Sequence, residues 1–164
     1  MARSTTKDKS SKTKQLIIIG WRERLCLPEL GITQIKAKID TGARSSALHA
    51  FDVETFELNE KMMVRFKVHP YQRDTHKTVI AQAPLLEQRE VRSSSGQAQL
   101  RPVIQTMVEL NGESWSIELT LTNRDVMGFR MLLGRQAVRR RFLVDAGRSF
   151  LQSKQHNQKR QLDK

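Results

Sequence analysis

Lys36-Ala37-Lys38-Ile39-Asp40-Thr41-Gly42-Ala43 is the stretch on which the reading of this chain turns. Ala37 and Ile39 alternate with Lys36 and Lys38, the period of two that marks a β-strand with one apolar face. The strand runs out at Asp40-Thr41-Gly42, where an acidic residue and a glycine favour a turn. The same period recurs further on. Val64, Phe66 and Val68 alternate with Arg65 and Lys67, so Met62 to Val68 reads as a strand. Ile104, Thr106, Val108 and Leu110 lead into Asn111-Gly112, and Trp115, Ile117, Leu119 and Leu121 lead out of it. Asn and Gly both tolerate the positive φ of a two-residue turn, so 102–122 reads as a hairpin. Pro28, Pro70, Pro84 and Pro102 mark element ends. Helix is expected only from Arg135 to about Arg141, between Gly134 and the apolar Phe142-Leu143-Val144. The expected fold class is therefore all-β, with one short helix after Gly134.

A chain of 164 residues and 18.9 kDa has the size of one domain and buries enough surface to fold without metal or disulfide. Its single cysteine, Cys26, excludes an internal disulfide and a cysteine-rich zinc ribbon, and fits a reducing compartment. The apolar run Leu16 to Ile19 is too short for a signal-peptide core or a bilayer span, so the expected location is the cytoplasm, with no membrane partner. The net charge of +12 is unevenly spread. Residues 1–14 hold five basic residues against one acidic, residues 148–164 hold the same, and the body between them carries only +4. The expected organisation is a disordered basic tail over 1–14, one domain over 15–151 and a second basic tail over 152–164. Such tails attract any polyanion, nucleic acid included, without specificity. Few aromatics are present, and they form no RNA-stacking motif.

A strand that delivers Asp into an Asp-Thr-Gly turn is the arrangement aspartic peptidases use. Two carboxylates held close cannot both ionise cheaply and share one proton. The ionised one takes a proton from water as the water attacks a peptide carbonyl, and the protonated one donates to the carbonyl oxygen. Asp40 supplies one such carboxylate; Thr41 can hydrogen-bond across the pair, and Gly42 offers a close backbone N–H. Asp125 stands in no Asp-Thr/Ser-Gly turn, so the second carboxylate is expected from a second copy of the chain. Later in the chain Met131-Leu132-Leu133-Gly134-Arg135 is an apolar run that ends in glycine and leads into the expected helix.

Several segments together resemble one family. They are Gly20-Trp21-Arg22-Glu23, Leu27-Pro28-Glu29-Leu30-Gly31-Ile32, Lys38 through Ala50, Val68-His69-Pro70, Val91 through Gly96, Leu121 through Asp125, and Met127 through Arg135. The chain from about residue 16 to 151 is similar to the retropepsin-like aspartic peptidase domains named for an ATP-dependent zinc protease, found beside or fused to ATP-grasp glutamate ligases. The resemblance implies a retropepsin-like closed β-barrel, the acid protease fold. It implies a homodimeric endopeptidase with Asp40, Thr41 and Gly42 as catalytic residues. Two positions depart from related patterns. Arg44 stands where retroviral enzymes carry an acidic residue that helps pair the dimer, and Arg24 follows Trp21-Arg22-Glu23 where an aromatic residue is usual.

The residues do not match the name's two cofactors. No Gly-x-x-x-x-Gly-Lys-[Ser/Thr] loop occurs, and His49, His69, His76 and His156 show no ligand spacing, so neither metal nor cofactor is expected. Arg44, Arg92, Arg124, Arg130 and Arg135 all lie in the family-like segments, and the planar guanidinium suits carboxylates. The expected substrate is thus an acidic peptide or protein, with glutamate trimming implied by the association with glutamate ligases. Substrate contacts are expected from Ala43, Arg44, Ser46, His49, Arg92 and Arg135. The alternative is a non-catalytic module that binds an acidic peptide or a ribosomal partner without cutting it.

Overall fold

The chain is seen in a computed structural model that describes residues 15–72, 74–92, 95–123 and 128–153. The expected tail over 1–14, and that over 152–164 apart from Gln152 and Ser153, lie outside these residues, as do Arg124, Asp125 and His156.

Eleven strands lie among the described residues. They are β1 (Ile17–Gly20), β2 (Arg22–Leu27), β3 (Ile32–Asp40), β4 (Ser46–His49), β5 (Phe51–Leu58), β6 (Lys61–Val68), β7 (Val79–Arg92), β8 (Ala98–Leu110), β9 (Glu113–Thr122), β10 (Met131–Gly134) and β11 (Phe142–Asp145). Of these, β2, β3, β6, β8 and β9 alternate apolar with polar side chains. β1 and β11 form a parallel pair, and the other nine lie in the order β2-β3-β10-β4-β9-β8-β7-β6-β5. The all-β expectation holds. The sheet curls until β2 meets β8 again, at the single bridge Cys26↔Glu109. The closed barrel expected from the sequence is therefore not formed: β2 and β8 touch at one residue pair, and no ladder runs along that seam.

The expected hairpin forms as β8 and β9, with Asn111 at φ 47° and Gly112 at φ 80°. Ile104, Val108, Leu110, Trp115, Ile117, Leu119 and Leu121 turn into the core beside Leu25, Ile35, Ala37 and Leu133. The strand expected over Met62 to Val68 is β6, whose Val64, Phe66 and Val68 are wholly buried while Met62 is exposed. The helix is shorter than expected. α1 covers Arg135–Val138, and Arg140 adopts φ 65°. Leaving the helix early brings the ring of Phe142 against that of Trp115, centroids 5.1 Å apart, and buries it.

One buried charge ties the ends of the domain together. Glu23 lies in the apolar phase of β2, with Leu25 and Leu27, and has no solvent exposure. Its Oε1 accepts from the amides of Gly20 and Leu151 at 2.9 Å and of Gln152 at 3.2 Å. Its Oε2 accepts from the Ser153 amide at 3.0 Å and the Ser153 hydroxyl at 2.5 Å. A buried carboxylate is tolerated when donors satisfy it in this way. Around this knot Trp21 N–H donates to Arg148 O and Phe150 N–H to Arg22 O.

Glu23→Ala would leave those donors without their acceptor. A loss of about 3 kcal/mol is expected, the scale for unsatisfied buried groups, and urea denaturation checks it; an unchanged midpoint would refute the role. At the β2–β8 seam, burial first and then the Glu109 carboxylate raise the Cys26 thiol above its ordinary pKa. Cys26 is expected to alkylate more slowly at mildly alkaline pH than a free thiol, and faster in Glu109→Gln. Equal rates in both proteins would show that Glu109 has no effect on the thiol.

Candidate active site

Asp40 is the last residue of β3, and beyond it the chain forms a loop with a strand threaded through its base. β3 and β4 are the two legs. β10 runs between them, parallel to β3 and antiparallel to β4. Its register sets Leu133 beside Ile39 and Gly134 beside Asp40. The apolar side chains explain the placement, because Ile39, Leu48, Met131 and Leu133 are all buried.

Inside the loop Asp40 is held by its own backbone. Oδ1 accepts from the amides of Gly42 and Ala43, each at 3.1 Å. These bonds turn the carboxylate toward the bend and leave Oδ2 free of them. The loop is then braced from beyond β10. The Gly134 amide donates to Ser46 Oγ at 3.0 Å, the Arg135 amide to Ala43 O at 2.7 Å, and the Gln136 amide to Arg44 O at 3.1 Å. The Arg135 guanidinium adds a bond from Nη1 to Thr41 O at 3.2 Å. Gly134 is required by space, since a Cβ there would run into the Ser45 carbonyl. Thr41, Gly42 and Arg44 are exposed on the outer side of the loop.

The structure brings some of the expected residues together and separates others. Asp40, Thr41, Gly42, Ala43, Arg44 and Arg135 share the loop and its brace. Ser46 is buried and its hydroxyl serves Gly134, so its part is to support the loop. His49 stands at the far end of β4, where its amide donates to Arg130 O at 2.8 Å and its Nδ1 is buried without a partner. Register places it beyond Leu48, which lies opposite Met131 and hence level with Ala37, roughly 10 Å or more along the sheet from Asp40. Arg92 is exposed at the end of β7, and among the described residues no hydrogen bond joins it to the loop. His69 Nδ1 donates to Lys77 O at 3.2 Å and its ring lies against Phe51, while exposed His76 pairs with Asp74. Among the described residues no group of three or more His, Cys, Asp or Glu side chains is arranged to hold a metal ion.

Sequence reasoning missed two working parts. One is Glu23, whose signal was a charge in the apolar phase of a strand. The other is the Ser46–Gly134 bond, which no local pattern announces because its partners are 88 positions apart.

The comparisons with known proteins agree on one neighbourhood. The family described as "Retropepsin-like aspartic endopeptidase RimB" matches residues 18–155. A probable alpha-L-glutamate ligase of Parasynechococcus marenigrum (strain WH8102) is 50% identical over 129 residues, 79% of this chain and 28% of that protein. One of Shewanella halifaxensis (strain HAW-EB4) is 40% identical over 140 residues, 85% of this chain and 31% of that protein. The chain thus spans about a third or less of these relatives. A crystal structure of a protein of unknown function from Legionella pneumophila subsp. pneumophila str. Philadelphia 1 superposes with a TM-score of 0.70. The two are 26% identical, over 84% of this chain and 98% of that one. No helix among the described residues is long and apolar enough to cross a membrane.

Ser46→Ala is expected to leave the buried Gly134 amide unsatisfied and cost about 1–3 kcal/mol. Gly134→Ala should cost at least as much, since backbone must move to admit the methyl. Chemical denaturation measures both; a Gly134→Ala protein as stable as the parent would show that β10 does not thread the loop this tightly.

Proposed function

The chain belongs to the RimB-like family of retropepsin-like aspartic endopeptidases, and from that premise we propose that it is an aspartic endopeptidase that works as a homodimer and trims acidic, glutamate-rich peptides. The observation that carries the reading is the carriage of Asp40. Its carboxylate is fixed by the Gly42 and Ala43 amides at the rim of an exposed loop braced by β10 and α1. A fixed carboxylate with a free oxygen is what activation of water needs.

One chain supplies one such carboxylate, so two copies would set their loops face to face, with Thr41 near the contact. One Asp40 takes a proton from water, and the water oxygen bonds to the peptide carbonyl carbon. The other Asp40 gives its proton to the carbonyl oxygen. The tetrahedral intermediate then collapses: the carbon–nitrogen bond breaks, the nitrogen leaves with a proton, and the pair is restored to its shared-proton state. The substrate class is supported by charge and by kinship. Arg44 sits on the Asp40 loop itself, and Arg135 braces that loop from the start of α1. The relatives named as probable glutamate ligases contain a region like this chain, and a hydrolase that removes glutamates is the chemical counterpart of an enzyme that adds them.

The test is a protein with an oligo-glutamate tail incubated with the chain and weighed by mass spectrometry. Stepwise loss of glutamates is expected with the parent and none with Asp40→Asn, whose shape should be unchanged. Activity should rise and then fall with pH, because a proton-sharing pair is active only between its two macroscopic pKa values. An intact tail that stays bound to both proteins would move the reading to a non-catalytic module for acidic peptides.

A further inference from the structure

Alternation along β2 and β3 sorts their side chains into two faces. Glu23, Leu25 and Leu27 of β2 and Ile35, Ala37 and Ile39 of β3 are buried. Turned the other way are Arg22 and Arg24 of β2 and Lys36, Lys38 and Asp40 of β3, all partly exposed. The ladder pairs Arg22 with Lys38 and Arg24 with Lys36. Four cations thus stand two abreast, and Asp40 follows in line on the same face.

Like charges directly across a ladder destabilise a sheet. Two such pairs in succession concentrate positive charge on this face. The aromatic rings on this face are engaged by the cations. Arg22 lies over Trp21 at 4.6 Å and over Phe150 at 5.0 Å, Arg24 over Phe150 at 3.9 Å, and Lys36 over Phe129 at 5.9 Å. Stacking of this kind holds a guanidinium in place; Arg22 Nε also donates to Ser149 Oγ at 3.0 Å, and Arg24 Nη1 is buried without a hydrogen-bond partner. The row ends beyond Arg24 in a hollow of about 260 Å³ to which Cys26 and Glu109 contribute, and where the acid of Glu109 reverses the charge.

We propose that Arg22, Arg24, Lys36 and Lys38 form a binding track that leads an extended acidic peptide to Asp40. Outward side chains on a strand recur about every 7 Å, and so do alternate side chains of an extended peptide. Each rung of two cations would therefore meet every second carboxylate of a glutamate run. The track covers roughly 13 Å from Asp40 to Lys36. Nucleic acid fits less well, because it binds single-stranded through rings left open for base stacking, and these rings carry cations. The occupant rests on the acidic-peptide reading of the preceding subsection. The track itself rests on strand register and charge.

The experiment measures fluorescence anisotropy of labelled hexaglutamate, hexaglutamine and a short mixed-sequence RNA on Asp40→Asn protein, where no cleavage interferes. Lys36→Gln with Lys38→Gln, and Arg24→Gln with Lys36→Gln, are each compared with the control Lys61→Gln with Lys77→Gln, which removes the same charge from exposed sites elsewhere. Each track variant should weaken hexaglutamate roughly tenfold, the effect of two partly exposed charge contacts, and the control little. Salt should weaken the parent more than the track variants. Should Arg24→Gln disturb the Phe150 packing, seen as a lowered melting temperature, the Lys36 and Lys38 pair still decides. Equal losses in track and control, or loss of RNA binding with hexaglutamate unchanged, would overturn the track. In Asp40 protein, tail cleavage unaffected by the track variants would overturn the track and leave the peptidase reading standing. Track-dependent binding without cleavage would do the reverse.

Discussion

The Gly134 amide and the Ser46 hydroxyl meet at 3.0 Å in the buried base of the loop. A backbone donor in such a place must find a partner, and only a small side chain on the facing leg can supply one without pushing the strands apart. The contact fixes where β10 lies, and β10 fixes the separation of β3 from β4. The loop between those legs is consequently a bridge of set span, and the two amides of that bridge hold Asp40. A change of a single methyl group at Gly134 acts on a carboxylate it never touches.

Much of this architecture was legible in the chain. The alternation in β3, β6, β8 and β9 is strong because each has one face in the core, and Asn111-Gly112 fixes a register by its own backbone preference. Asp40-Thr41-Gly42 and Leu132-Leu133-Gly134 could each be read as an element. Their meeting could not, because the pairing of β10 with β3 joins residues nearly a hundred positions apart. The helix was overestimated for a related reason. Local composition allows it to continue through Arg141, but the burial of Phe142 against Trp115 requires the chain to turn sooner. Arginines were the least legible residues. Arg135 and Arg92 look alike in sequence, yet one braces the Asp40 loop and the other stands at the end of β7.

Charge is distributed with more order than the overall excess of basic residues conveys. The buried acid Glu23 neighbours Arg22 and Arg24 in sequence, but the strand turns it inward and them outward. One short strand therefore performs two unrelated tasks, closing the domain on one side and presenting cations on the other. Period-two geometry makes this possible, and it also means that a one-residue slip of β2 would bury both arginines and expose the acid.

The knot at Glu23 has a geometric corollary. It gathers Gly20 and Leu151 to Ser153, close to the two limits of the family match at residues 18 and 155, around one carboxylate. Entrance and exit of the fold thus share a doorway a few ångströms wide. A polypeptide built this way is a cassette: it can be spliced into or onto another protein with short connectors, and the host need not stretch to accommodate it. Such portability is a mechanical property of the domain, independent of whatever chemistry its loop performs.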